Sequence, residues 1–353
     1  MRDSLRETLT AHAGRYPAMT PQDGVKLIYQ NEFGGGHLIA DPARSLERLR
    51  AEYAALPSGL SAPLSEDIGN GMARVNLSGL DPKEYPLEAL NRDFVRSAAL
   101  HRGNMEAFLK KLDVLRELAE EGMFGFSARE LEEYLGPYVR SGCPAVSHSE
   151  AYRAAYHPAY RVMLRSACLP LLVEEVRALS EQRGRVIVAL DGRCASGKTT
   201  LAARLEKRYG WSVVHMDHFF LRPEQRSPER YAQPGGNIDH ERFLKEVLLP
   251  LRWGERPVYR PFDCRTQTLG DPLPFHPGPV VLVEGSYACH PALWDHYDVR
   301  AFLTVDPAVQ MEWITAREGG DYAQVFREKW IPLEERYFSG CEVESRCDYQ
   351  LEI

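Results

Sequence analysis

The spacing of apolar positions changes about halfway along the chain. Up to about residue 180 they recur at three- and four-residue intervals, the period of helices that bury one face. Thr20-Pro21-Gln22-Asp23 reads as a helix start, with a capping hydroxyl, proline in the first turn and an early acid. That helix runs through Val25, Leu27 and Ile28 and stops at Gly34-Gly35-Gly36. Further helices are predicted over 46–56, 87–100 and 105–121, then over 131–138 behind the capping box Ser127-Ala128-Arg129-Glu130. Another is predicted from Pro158 through Val162, Leu164, Leu169, Leu172 and Val176. The polar run 180–185 is the linker candidate. Beyond it, short apolar runs at 186–190, 212–216, 280–283 and 300–305 alternate with helical or looped stretches. That alternation predicts a parallel sheet flanked by helices. The expected organisation is a mainly α-helical domain over 1–180 followed by an α/β domain over 181–353.

Composition narrows the class. Hydrophobic residues at 44% and charged residues at 26% are ordinary for a soluble globular protein. The formal charge of −7 gives no reason to expect nucleic-acid binding. No apolar run approaches the length of a membrane span, and the polar N-terminus does not read as a secretory signal. The seven cysteines are scattered and odd in number, without C-x-x-C spacing. They read as reduced thiols of a cytoplasmic protein.

The candidate chemistry centres on 186–205. An apolar strand runs into Gly192-Arg193-Cys194-Ala195-Ser196-Gly197-Lys198-Thr199-Thr200, and a helix follows. This is G-x-x-x-x-G-K-T in the strand–loop–helix setting that makes a phosphate-binding loop. Gly192 and Gly197 allow backbone N–H groups around Ala195, Ser196 and Thr200 to turn toward an anion. The helix adds free N–H groups and its positive end. Lys198 supplies a mobile charge for β- and γ-phosphates, and Thr199 a hydroxyl for Mg²⁺. The expected cofactors are ATP and Mg²⁺. Cys194 reads more simply as a small residue tolerated in the loop than as a regulatory thiol.

Two strand ends carry acids. Asp217, after 212–216, suits a general base or a metal ligand, although a turn cap fits its spacing equally. Glu284, after 280–283, is the candidate metal-side carboxylate beside Thr199, with Gly285 expected to keep the backbone clear of nucleotide. Two polar segments, 234–243 and 258–265, mix acids, bases and aromatics as an acceptor pocket for a polyhydroxylated compound would. Asp239 also fits a helix N-cap. Arg317, near the end of a helix, is a candidate to fold over the phosphates, with Arg327 as its substitute.

From Arg185 to the end, these motifs and their order resemble the uridine kinase and phosphoribulokinase-like P-loop kinases. The resemblance rests on residues 192–199, His215-Met216-Asp217-His218-Phe219-Phe220, Asn237-Ile238-Asp239-His240, Tyr259-Arg260-Pro261-Phe262-Asp263, Val283-Glu284-Gly285 and the Arg317 region. It implies phosphoryl transfer to a hydroxyl of a small molecule. Asp217 would activate the acceptor hydroxyl, Asp239, Tyr259, Arg260 and Asp263 would line its pocket, and Arg317 would sit on a lid. His218 departs from the family pattern, as does the segment after Asp263, so uridine itself is not implied.

In the first half, Glu32 and His37 flank the three glycines, and His148 and Arg161 bracket a stretch rich in hydroxyls and imidazoles. These four are candidates for a second site, set against a polar helix junction. Tyr152, Tyr156 and Tyr160 recur at four-residue spacing, interrupted by Pro158. Besides a small-molecule kinase, two readings stay open: an ATP-driven switch whose helical domain grips a protein or RNA, and a bifunctional enzyme.

Overall fold

A computed structural model describes residues 2–59 and 62–352, and the chain divides into two units, Met1–Cys168 and Leu169–Ile353. In the first unit the helices predicted at 20–33, 46–56, 87–100, 105–121 and 131–138 form as α2 (Pro21–Phe33), α3 (Pro42–Ala54), α4 (Leu87–Leu100), α5 (Met105–Glu120) and α6 (Ala128–Arg140). Two more, α1 (Arg2–Arg15) and α7 (Glu150–Tyr156), were not expected. Asp23 accepts the Thr20 N–H at 3.0 Å and its hydroxyl at 2.8 Å, closing the start of α2. Val25 and Ile28 of α2, Phe108, Leu112 and Leu115 of α5, and Leu131 and Leu135 of α6 meet in one core.

The sequence reading missed a sheet here. Strands β1 (Ser65–Gly69), β2 (Met72–Asn76) and β3 (Tyr160–Leu164) pair antiparallel in that order. Gly69, Asn70 and Gly71 all have positive φ and make the tight turn between β1 and β2. The strands escaped notice because Glu66 and Arg74 are buried, which breaks the alternation of apolar and polar residues that marks a half-buried strand. The helix expected from Pro158 to Val176 does not form as one element. Its first part is β3, where Met163 and Val162 pair with Ala73 and Arg74 of β2. Completing the open edge of β2 outweighs the weak helical pattern. Its second part is α8 (Leu169–Arg183), which belongs to the second unit. The expected linker at 180–185 is therefore partly the last turn of α8, and the units part at residue 168.

The second unit is built on a parallel sheet. Its first strands and helices are β4 (Val186–Gly192), α9 (Lys198–Tyr209), β5 (Ser212–His215) and the short α10 (Pro228–Ala232). A helical run follows, α11 (His240–Phe243), a π-turn at Leu244–Leu248, and α12 (Leu249–Arg252). The segment 258–274 is a nested antiparallel ribbon, with β6 (Val258–Tyr259) pairing β9 (Leu273–Pro274) and, inside it, β7 (Phe262–Asp263) pairing β8 (Thr268–Leu269). Then come β10 (Val280–Glu284), β11 (Val299–Thr304), α13 (Pro307–Glu318), α14 (Gly320–Val325), α15 (Ile331–Gly340), α16 (Val343–Arg346) and β12 (Tyr349–Glu352). The sheet order is β12-β11-β4-β10-β5, all parallel, so β4 lies at the centre. Every residue of β4 and β10 is buried, which is why both read as uninterrupted apolar runs. Among the described residues no helix is long and apolar enough to cross a membrane.

Two glycines are required by this sheet. Gly192 has φ +139°, and a Cβ there would lie 2.0 Å from the carbonyl oxygen of Leu303 on β11. Gly285 has φ +138°, and its Cβ would meet Met216 Cβ at 2.8 Å. Gly285 thus clears the turn after β5, and it also lines the cavity over the loop.

Candidate active site

The carboxyl ends of adjacent parallel strands gather the functional groups, as open α/β sheets do. The loop after β4 crosses from Gly192 to Gly197, with Ala195 at φ +55° and Gly197 at φ +89°, and α9 starts at Lys198. The Lys198 ammonium is folded back onto the loop. It donates to the carbonyls of Gly192 (2.7 Å) and Arg193 (2.8 Å) and lies 3.4 Å from Ser286 Oγ. Arg193 is tied down by Glu335 at 2.8 Å and by the Thr304 hydroxyl at 2.7 Å. Behind the loop the buried Asp191 carboxylate accepts the N–H groups of Gly192, Tyr287 and Cys289 and the hydroxyl of Tyr337. This carboxylate joins the start of the loop to the turn after β10. Burial, the largest influence, pushes its pKa up to about 6 against those donors.

A cavity of about 710 Å³ opens over the loop. Ala195, Ser196, Gly197, Lys198, Thr199 and Thr200 line one side, and Asp217 and Glu284 lie on the same cavity. Glu284 is buried and sits beside His215 across the β10–β5 register. Its carboxylate is 3.3 Å from the Thr199 hydroxyl and 2.5 Å from His215 Nδ1. The hydrogen bond to Glu284, more than any other influence, raises the His215 pKa. Asp217 stands on the turn after β5 and is exposed where it lines the cavity. Its carboxyl is nevertheless pushed above the ordinary aspartate range, first by partial loss of solvent within the cavity and second by the charge of Glu284. Arg317 on α13 also faces this cavity, together with Lys329, and its Nε holds Glu318 at 2.7 Å.

The residues proposed for the acceptor pocket behave differently. Asp239 caps α11, accepting Arg242 N–H at 3.1 Å, and has Arg242 and Arg222 at 3.5 and 3.9 Å. Tyr259 is buried against Phe219, with its hydroxyl 3.4 Å from His218 Nδ1. Arg260 donates to the carbonyls of Gly270 and Leu269 and so ties the ribbon together. Asp263 closes the turn of β7–β8 through the Arg265 N–H at 2.7 Å. None of these four lines the cavity. Arg226, Tyr231, Asn237, Cys264, Gln267 and Tyr287 line it instead. Of the two polar segments, Asn237 and Cys264 line the cavity, and side-chain direction within them is set by ribbon pairing and helix capping.

Two further residues escaped the sequence reading. Ser286 donates to Glu334 Oε1 at 2.7 Å, and Glu334 Oε2 accepts the loop N–H of Cys194 at 2.9 Å. A buried carboxylate therefore occupies one of the amides of this loop. Ser286 follows Val283-Glu284-Gly285 and was legible as a neighbour; Glu334 lies 140 residues from Cys194 and left no local signal. The Cys194 thiol is pushed well above its ordinary pKa by burial and then by Glu334, which makes it a poor nucleophile.

No protein-family model matches this chain. Among solved structures it is similar to a possible uridine kinase from Bacillus stearothermophilus, at 19% identity and a TM-score of 0.38, over 51% of this chain and 99% of that one. It is also similar to a shikimate kinase from Bacteroides thetaiotaomicron, at 16% identity and a TM-score of 0.24, over 47% of this chain and 85% of that one.

The four candidates in the first unit each have a separate partner. Glu32 pairs with Lys111 at 2.6 Å and Arg161 with Glu52 at 2.6 Å. His37 is exposed, edge-on to Tyr29. His148 is buried between Asp23, at 2.8 Å from its Nδ1, and the Tyr160 hydroxyl at its Nε2. Among the described residues no group of three or more His, Cys, Asp or Glu side chains could hold a metal.

His148 has a consequence for stability. Burial, the main cause, lowers its pKa to about 4 from an unfolded value near 6.5. The folded state then binds fewer protons than the unfolded chain between those values, so this contribution is full above pH 6.5 and is lost as pH falls through 4. Unfolding by urea is expected to lose on the order of 2 kcal/mol between pH 7 and pH 4 from this group. His148→Gln should flatten that part of the profile; an unchanged pH slope would refute the assignment.

Proposed function

We propose that the second unit is an ATP- and Mg²⁺-dependent kinase that transfers a phosphoryl group to a hydroxyl of a small polyhydroxylated molecule. One observation carries the reading. The loop residues, the Thr199–Glu284 pair and the Asp217 carboxylate all line one cavity, which Arg226, Tyr231, Asn237 and Gln267 line as well. A nucleotide switch needs the first two features but has no use for the third.

Thr199 and Glu284 present a hydroxyl and a carboxylate 3.3 Å apart, a hard-oxygen pair that suits Mg²⁺, whose remaining positions phosphates and water fill. Bound there, Mg²⁺ would offset charge on the β- and γ-phosphates. Loop amides hold the phosphates, and Lys198 swings from the carbonyls of Gly192 and Arg193 to meet them. Asp217 accepts the proton of the acceptor hydroxyl as its oxygen bonds to the γ-phosphorus and the bond to the ADP oxygen breaks. The upward shift of Asp217 makes it a stronger base than an ordinary aspartate. Arg317 lies on the same cavity and would balance charge during transfer. Asn237, Gln267, Tyr231 and Arg226 would hydrogen-bond the acceptor.

The test is ATP consumption by the purified full chain with Mg²⁺ across nucleosides, sugars and polyols, with Lys198→Ala as control. Stimulation by one compound class, absent in the control, supports the reading. Steady turnover indifferent to every compound overturns it in favour of the switch.

Glu334 allows a second test. Its charge sits on a loop amide and opposes an incoming triphosphate. Glu334→Gln is expected to tighten ATP binding by about threefold to tenfold, measured by nucleotide titration. Weaker binding would mean that Glu334 shapes the loop and does not compete with the phosphates.

A further inference from the structure

The first unit holds a second cavity, of about 330 Å³, at the lower end of the range of small-molecule sites. Its lining includes Arg15, Glu66, Arg74 and the tyrosines 16, 152, 156 and 160. Arg74, on β2, is only 2% exposed. Its Nε and Nη2 donate to Gln30 Oε1 at 3.0 and 2.8 Å, its Nη1 donates to Glu66 Oε2 at 3.3 Å, and its guanidinium lies 4.8 Å over the Tyr160 ring.

The charges at this wall do not balance. Glu66 is also the acceptor for Arg15, at 2.8 Å. Two guanidiniums, Arg74 buried and Arg15 half exposed, thus share one carboxylate that also lies 3.3 Å from His12 Nε2, and Gln30, the other partner of Arg74, is neutral. The nearby Asp23 is taken up by Thr20, His148 and Ser149. A buried charge is costly unless paired, and an apolar residue on β2 would hold the sheet at no such cost. The cavity walls add a second feature. Tyr16, Tyr152 and Tyr156 pack together with ring centroids 4.8 to 5.3 Å apart, an aromatic wall suited to an apolar ring.

We propose that this cavity is a binding site for a small flat organic monoanion, a ring bearing one carboxylate. Its carboxylate would complete the pairing of Arg74 and Arg15, and its ring would lie among the tyrosines. With Arg15 half exposed and Glu66 shared, the wall carries a small excess of positive charge, which suits a carboxylate better than a phosphate dianion. The site is independent of the kinase reading and shares no residue with that cavity.

The test titrates benzoate into the full chain by calorimetry, with benzyl alcohol as its neutral counterpart and inorganic phosphate as the other anion. Saturable benzoate binding is expected, at least about tenfold tighter than benzyl alcohol or phosphate. Ala155→Trp places a bulky group at an exposed position of the cavity lining, outside the charge network, and should weaken benzoate by about tenfold or more. Arg74→Met should do the same, with circular dichroism reporting whether it folds. The proposal is overturned by no saturable benzoate binding up to about 10 mM. Benzoate affinity unchanged in Ala155→Trp, or equal binding of benzyl alcohol or phosphate, would overturn it too.

Discussion

Replacing Asp217 with asparagine is expected to lower phosphoryl transfer by about two to four orders of magnitude while leaving ATP affinity nearly unchanged. Asparagine keeps the size and hydrogen-bonding reach of the side chain but cannot accept a proton. On the proposed reading, ATP binding rests on the loop, Lys198 and the Thr199–Glu284 pair, none of which hydrogen-bonds Asp217. The pH profile adds an independent readout. Asp217 must be ionised to act, and its carboxyl is held above the ordinary aspartate range. Activity should therefore fall as pH drops through that raised value, and the acid limb of kcat/KM should disappear in Asp217→Asn. If transfer survives at near wild-type rate, the base is elsewhere. A matching loss of ATP affinity would make Asp217 part of the nucleotide site.

Gly192→Ala is expected to cost about 3 kcal/mol of stability, measured by denaturant unfolding without nucleotide. The reason lies in the sheet. The added methyl group would sit 2.0 Å from the Leu303 carbonyl oxygen and 2.7 Å from its amide nitrogen, both backbone atoms of a central strand pair. Its φ of +139° is also closed to alanine. Neither neighbour can rotate away, so the strands must part or the loop must move. Gly320→Ala, where a methyl group meets nothing within 4 Å, should change stability little and serves as the control. An effect confined to nucleotide affinity would show that Gly192 serves the phosphate alone.

The strand–loop–helix around Gly192 to Thr200 was legible because its signal is local. Spacing of glycines, lysine and threonine, an apolar strand before and a helix after are all contained in about twenty consecutive residues. Buried parallel strands read as plain apolar runs, so β4, β5, β10 and β11 were foreseeable, and so were Asp217 and Glu284 at strand ends. Helix caps such as Thr20 and Ser127 are also local, and the helices began where those residues stood.

Other features depended on partners far away in the chain. Strand β3 exists because β2 offers an open edge 84 residues or more upstream, and β12 because β11 does. Strands β1 and β2 hide Glu66 and Arg74 inside, where the pattern of polarity forbids a strand unless the two find each other. Asp239, Tyr259, Arg260 and Asp263 had suitable chemistry at suitable spacing. Capping of α11 and pairing within the ribbon turned them to other tasks and left the cavity wall to Arg226, Asn237 and Gln267. Local sequence sets backbone preference and the supply of reactive groups. Which groups share a cavity is decided by strand order and register, because each one-residue step along a strand sends the side chain to the opposite face.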